Sequence, residues 1–263
     1  MTSPAVPDTP AASRVASRGA WALRAAILLA AAALRLPSLF AAYPYINYVD
    51  EGHLVHPAVA VYRGPSWDPR TYAYPSLPIY ATAATAALIA PLYRRLEGRW
   101  PAADIPEPPH PFYYDLLEPP VFLLAGRAAT LAASLLVVWL TGRLALRWGG
   151  PRAEHHGLLL AALAPPLVLR GAIAGVDTWA ALFVLAAFLC ADRLAEAARP
   201  LRWAAAAGAL VGCAFASKYP AGLAGAGLAA AALAGGGRAV ARAKALAVGA
   251  AGAAAAANHT TPA

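Results

Sequence analysis

The sequence predicts an all-α integral membrane protein, a polytopic helical bundle, and three observations carry that expectation. Of 263 residues, 60% are hydrophobic and only 13% are charged, against about 25% charged in a typical soluble domain. The mean hydropathy is +0.53, and the apolar residues fall in long runs split by short arginine clusters, the pattern of a multi-span helical protein. The arginines stand at the ends of those runs, where orientation signals belong. A soluble alanine-rich bundle would need a polar stripe on each helix, and residues 176–192 have almost none. The net charge of +8 does not indicate nucleic-acid binding, because no soluble basic face accompanies it. Cys190 and Cys213 both lie inside apolar runs and read as packing residues rather than a disulfide.

Residues 1–19, rich in Pro, Ser and Ala with Arg14 and Arg18, read as a disordered basic tail, and residues 20–263 as the transmembrane domain. The run 21–42 is apolar except for Arg24 and Arg35, and is long enough to cross a hydrocarbon core of about 30 Å. A cleaved signal peptide is the competing reading; the further apolar runs favour an uncleaved span. Arg24 would snorkel inward, whereas Arg35, late in the span, should sit near the outer interface or face a polar cavity. An outer loop over 43–120 follows, aromatic at first (Tyr43, Tyr45, Tyr48, Tyr62, Trp67, Tyr74) and proline-rich at its end. Within it, the apolar run 76–93 is expected to be an interfacial helix. Further spans are expected near 121–142, 157–174, 176–192, 203–216, 220–234 and 244–257. Their many small residues suit close helix packing in a bilayer.

Charge decides whether 76–93 crosses. If it does not, the clusters Arg143/Arg147/Arg152, Arg193/Arg199/Arg202 and Arg238/Arg242/Lys244 all fall inside, as the positive-inside rule asks. If it does, every later cluster moves outside. The first option gives seven spans, a cytoplasmic N-terminus, and Asp50, Glu51, Arg127, Asp177 and Lys218 together at the outer face.

The stretch Tyr48-Val49-Asp50-Glu51-Gly52-His53 is the best candidate for chemistry. Adjacent carboxylates on an outer loop can act as a base, bind a cation or simply be solvated. Asp177 at the start of a span is costly unless it faces a polar site. Paired acids and fixed cations at one interface suit transfer from a phosphate-linked donor: a carboxylate accepts the proton of a hydroxyl, and Arg or Lys stabilises the departing phosphate. His53 and His56 beside the acids form a weak metal-ligand pattern, since spacing fixes no fourth ligand. No cofactor is required by the sequence; a divalent metal is compatible with it.

The order of several short motifs is familiar: Leu34-Arg35-Leu36, Asp50-Glu51-Gly52, Tyr74-Pro75-Ser76-Leu77-Pro78, Gly126-Arg127-Ala128, Gly175-Val176-Asp177 and Ser217-Lys218-Tyr219-Pro220. From about residue 20 onward the chain resembles the GT-C class of membrane glycosyltransferases. The nearest groups are the family 39-like enzymes, namely protein O-mannosyltransferases, the aminoarabinose transferases of lipid A and Rgt-type transferases. The resemblance implies inverting transfer from a polyprenyl-phosphate sugar to a lipid, glycan or protein acceptor at the extracytoplasmic face of the cell (inner) membrane. It implies Asp50 as the acceptor-side base with Glu51 beside it, Arg127 as the family arginine after the juxtamembrane helix, and Asp177 and Lys218 as donor-site or structural polar residues; Arg35 and Tyr74 are further substrate-binding candidates. Two features depart from the pattern. Tyr74 stands where the aminoarabinose transferases carry a lysine, with Pro-Ser in place of Pro-Pro. The chain is also short for the class, which suggests an N-terminal fragment of a longer enzyme. A transporter or lipid flippase component is the rival from another class, but it would hold its ionisable groups near the midplane of repeated halves. A non-catalytic membrane subunit is the third reading.

Overall fold

In the computed structural model, residues 10–46, 48–64, 67–69, 71, 74–96, 120–194, 200–234, 249–251 and 253–254 are described. They are almost entirely helical. The helices are α1 (Pro10–Leu39), α2 (Val49–Arg63), α3 (Leu77–Leu96), α4 (Val121–Leu163), α5 (Pro165–Arg170), α6 (Val176–Leu194), α7 (Pro200–Phe215) and α8 (Ala224–Ala234), with a 3-10 turn at Tyr219–Leu223 before the last. Among the described residues there is no strand beyond an isolated bridge at Tyr45.

Two helical stretches, Gly19–Leu39 within α1 and Val121–Leu163, are long and apolar enough to cross a membrane; Leu77–Tyr93 and Leu201–Phe215 are apolar but shorter. The surface follows membrane logic. Leu29, Leu88, Leu160 and Leu223 are each more than 70% exposed, whereas Arg35, Glu51, Arg127 and Glu154 are all buried. Such charges are costly in hydrocarbon unless they meet inside the bundle.

α4 doubles back on itself. Gly150 has φ 77°, a left-handed conformation that glycine adopts without a Cβ penalty. It is followed by Pro151, which starts the second arm. The two arms then run antiparallel in close contact: a Cβ on Gly142 would lie 2.5 Å from Leu158 Cγ, and one on Gly157 would lie 2.7 Å from Ala145 Cβ. α1 packs on this hairpin through Ile27 and Ala31 against Val138, Leu158 and Ala161. On the other side α6 joins through Leu182 against Ala133 and Val137. α7 and α8 close the bundle around Ala191, Leu194, Ala204, Ala207 and Leu228. α2 and α3 cap one end, with Leu54, Val55 and Ile79 on Phe122, Leu123 and Val176.

Several expectations change in detail. Helix α1 starts at Pro10, within the segment assigned to a disordered tail; residues 1–9 lie outside the described residues. The start of the outer loop is not irregular, since α2 occupies 49–63. The expected helix 76–93 is present as α3, and the loop residues 97–119 lie outside the described residues. The expected span 157–174 is not one helix. It breaks at Ala164, whose ψ of 117° is the extended state that a following proline imposes, so α4 ends and the short α5 begins. The run 220–234 is divided between the 3-10 turn and α8. Most of 244–257 lies outside the described residues.

Candidate functional site

The site is built where the end of α1, the start of α2, the start of α4 and the turn 171–175 meet. Glu51 and Arg127 are fully buried there and form a two-pronged ion pair, with Arg127 Nε donating to Oε1 and Nη2 to Oε2, each at 2.8 Å. The remaining guanidinium nitrogen donates to the carbonyls of Leu39 at 3.2 Å and Ala41 at 2.8 Å, satisfying the open end of α1. The Ala174 amide also donates to Glu51 Oε1 at 3.1 Å. One carboxylate and one guanidinium thus join four separate segments. Gly126, one residue before Arg127, permits the close approach: a Cβ there would lie 3.0 Å from Ala174 Cβ.

Asp50, one residue earlier on α2, faces a different place. It lines a small cleft with Tyr48, Arg170, Gly175, Asp177 and Thr178. Tyr74 Oη donates to Asp50 Oδ1 at 2.9 Å. That bond, followed by burial and the charges of Asp50 and Asp177, raises the Tyr74 pKa above its ordinary value. The His53 ring stacks on Tyr74 with centroids 5.3 Å apart. The Arg170 guanidinium lies 4.4 Å from the Tyr48 ring centroid, a cation–π contact. Asp177 accepts a hydrogen bond from Lys218 Nζ, and Leu77 N to Ala216 O at 3.2 Å ties the Lys218 turn to the start of α3.

The structure therefore brings Asp50, Tyr74, Asp177 and Lys218 to the cleft or its rim, and sets Glu51 and Arg127 behind it. Glu51, expected beside Asp50 in the chemistry, and Arg127, expected to meet substrate, are both buried and hydrogen-bonded to each other and to backbone. Arg35 is also turned inward. It donates to Ser134 Oγ at 2.9 Å and to the carbonyls of Ala31, Ala162 and Ala161, and packs where a Cβ on Gly171 would stand. The pattern Asp50, Glu51, His53, His56 does not assemble a ligand set, since His53 stacks and Glu51 faces Arg127; no group of three potential ligands gathers among the described residues. Arg170 was missed in the sequence. Its signal was an arginine directly before the Gly171–Gly175 turn, at the same end of the bundle as Asp177.

The chain matches the model of the dolichyl-phosphate-mannose-protein mannosyltransferase family over residues 122–260. That is more than half of its length, and the chain belongs to this family of GT-C-like glycosyltransferases. No curated protein and no solved structure matches it. The matched region contains Arg127, Arg170, Asp177 and Lys218, whereas Asp50 and Tyr74 precede it. The family and the apolar helices together make the protein a membrane-associated glycosyltransferase.

Proposed function

We propose that the protein is a multi-span membrane enzyme that transfers a sugar from a polyprenyl-phosphate donor to an acceptor hydroxyl on a lipid, glycan or protein, with inversion, at the extracytoplasmic face of the cell membrane. The acceptor oxygen attacks the anomeric carbon as the bond from that carbon to the phosphate oxygen breaks. The hydroxyl proton passes to the Asp50 carboxylate, acting as general base. The electron pair leaves with the phosphate, whose charge Arg170 and Lys218 offset. The observation that carries this reading is the cleft in which Asp50, Asp177 and Arg170 converge, with Lys218 on Asp177. Tyr74 orients the base, and the Glu51–Arg127 pair fixes α2 so that Asp50 keeps its place. Arg35 holds α1 to the α4 hairpin beneath the 170–171 turn.

The test uses the full-length protein in membranes with a panel of polyprenyl-phosphate sugars, measuring release of polyprenyl phosphate. At least one donor should be consumed in the presence of acceptor. Asp50→Asn should lower the rate by about 10²–10⁴-fold, the usual worth of a general base, without changing membrane insertion. Full activity in Asp50→Asn would overturn the assignment of the base. Movement of the intact donor across vesicles without sugar release would favour a transporter.

A further inference from the structure

A second polar site lies at the far end of the α4 hairpin. From Arg127 to Arg147 the first arm runs about 30 Å, at roughly 1.5 Å per residue, so this site is separated from the Asp50 cleft by about the thickness of a bilayer core. A groove of about 360 Å³ opens there between α4, α6 and α7, within the roughly 300–1,000 Å³ typical of small-ligand sites.

The groove has two chemistries. Trp139, Leu140 and Leu189 form an apolar wall, and Arg143, Arg147 and Arg193 stand with it. Each guanidinium group has a neighbour that fixes it. Arg143 Nη1 reaches Glu154 Oε1 at 3.4 Å while its side chain stays 39% exposed. Glu154 is buried and accepts from Arg24 Nη2 at 2.6 Å. Arg147 is paired with Asp192, which also accepts from Trp148 Nε1 at 3.3 Å. Arg193 lies 5.0 Å from the Trp203 ring centroid and is exposed. Arrayed guanidinium donors match phosphate oxygens. An apolar wall beside them has no use for a free phosphate, but it matches the acyl chain of a lipid.

We propose that the groove lined by Arg143, Arg147 and Arg193 between α4, α6 and α7 is a binding site for the headgroup of an anionic phospholipid, with its acyl chain along Trp139, Leu140 and Leu189. The inference does not depend on which sugar or acceptor the enzyme uses.

Native mass spectrometry of the detergent-purified full-length protein tests it, with phosphatidylglycerol, phosphatidylcholine and inorganic phosphate as probes. Phosphatidylglycerol should remain bound at least fivefold more than phosphatidylcholine. Arg193→Gln, at an exposed position, should reduce its retention about fivefold, the worth of one cation beside an anionic headgroup, with thermal unfolding unchanged. Arg143→Gln combined with Arg193→Gln should reduce it further. Arg202→Gln, exposed on α7 and outside the groove, should leave it unchanged. Equal retention of the two lipids, or an equal loss in Arg202→Gln, would overturn the proposal by reducing the site to general surface charge. Displacement by inorganic phosphate at equal concentration would overturn it in favour of a simple anion site.

Discussion

Asp50 lies in the cleft with its carboxylate held by Tyr74, whereas Glu51, the next residue, is wholly buried against Arg127. The sequence shows them as one acidic pair, and only the direction of each side chain from α2 separates their roles. Removing one partner of a buried ion pair leaves an uncompensated charge, which costs about 3–5 kcal/mol. Arg127→Ala should therefore lower the thermal unfolding temperature in detergent sharply. Arg127→Met combined with Glu51→Met should recover much of the loss; a double variant as unstable as the sum of the singles would contradict the pairing. Tyr74 offers a pH readout. Its folded pKa is raised, so the stability it contributes is complete below the ordinary tyrosine value and is lost as pH rises through the folded value. Ultraviolet titration, isolated by difference against Tyr74→Phe, should show a phenol ionising later than the exposed tyrosines. In Asp50→Asn the displacement should shrink, and an unchanged titration there would refute the contact.

At the scale of elements, the α4 hairpin depends on two glycines for different reasons. Gly150 supplies the left-handed turn; Gly142 supplies room, since Leu158 occupies the space a Cβ would need. Gly142→Ala should destabilise by about 1–3 kcal/mol, the usual cost of overpacking. Leu158→Ala made with it should relieve part of that loss, as followed by thermal unfolding; additive losses would show that the arms do not touch at this level. The two arms were legible as the apolar runs 121–142 and 157–174 with the Arg143/Arg147/Arg152 cluster between them, although the second run was drawn past its true end, and α3 was legible as the apolar run 76–93. α2 was not, because its glycine, prolines on both flanks and internal Pro57 argue for a loop, and tertiary contacts through Leu54, Val55 and Ala58 override that local preference. The break at Ala164 was visible in Pro165-Pro166 but was outweighed by continuous hydropathy. Of the site, the residue types and their end of the bundle were legible from arginine placement. Which acid faces the cleft and which is consumed by a cation was not, because that follows from rotation about one helix axis.

For the whole molecule, the polar groups gather at two levels along the first arm of α4: the Glu51–Arg127 centre and Asp50 cleft at one end, and Arg143, Arg147, Asp192 and Glu154 at the other. In the proposed topology, which follows the positive-inside rule, the second end faces the cytoplasm. In a background of Cys190→Ser and Cys213→Ser, Tyr219→Cys should be labelled in intact cells by a membrane-impermeant maleimide. Trp148→Cys, at a side chain 71% exposed, should be labelled only after permeabilisation. The reverse pattern would invert the orientation and move the Asp50 cleft to the cytoplasm.

The partners of Arg35 carry a consequence for biogenesis. Its guanidinium is satisfied by Ser134 on the first arm of α4 and by the carbonyls of Ala161 and Ala162 on the second, all made by the ribosome long after α1 has emerged. Until the hairpin arrives, α1 carries a cation for which the Ala31 carbonyl of α1 itself is the acceptor already made, and lipid receives such a cation poorly. We expect nascent α1 to linger beside the translocation machinery and to enter the bilayer together with the hairpin rather than ahead of it.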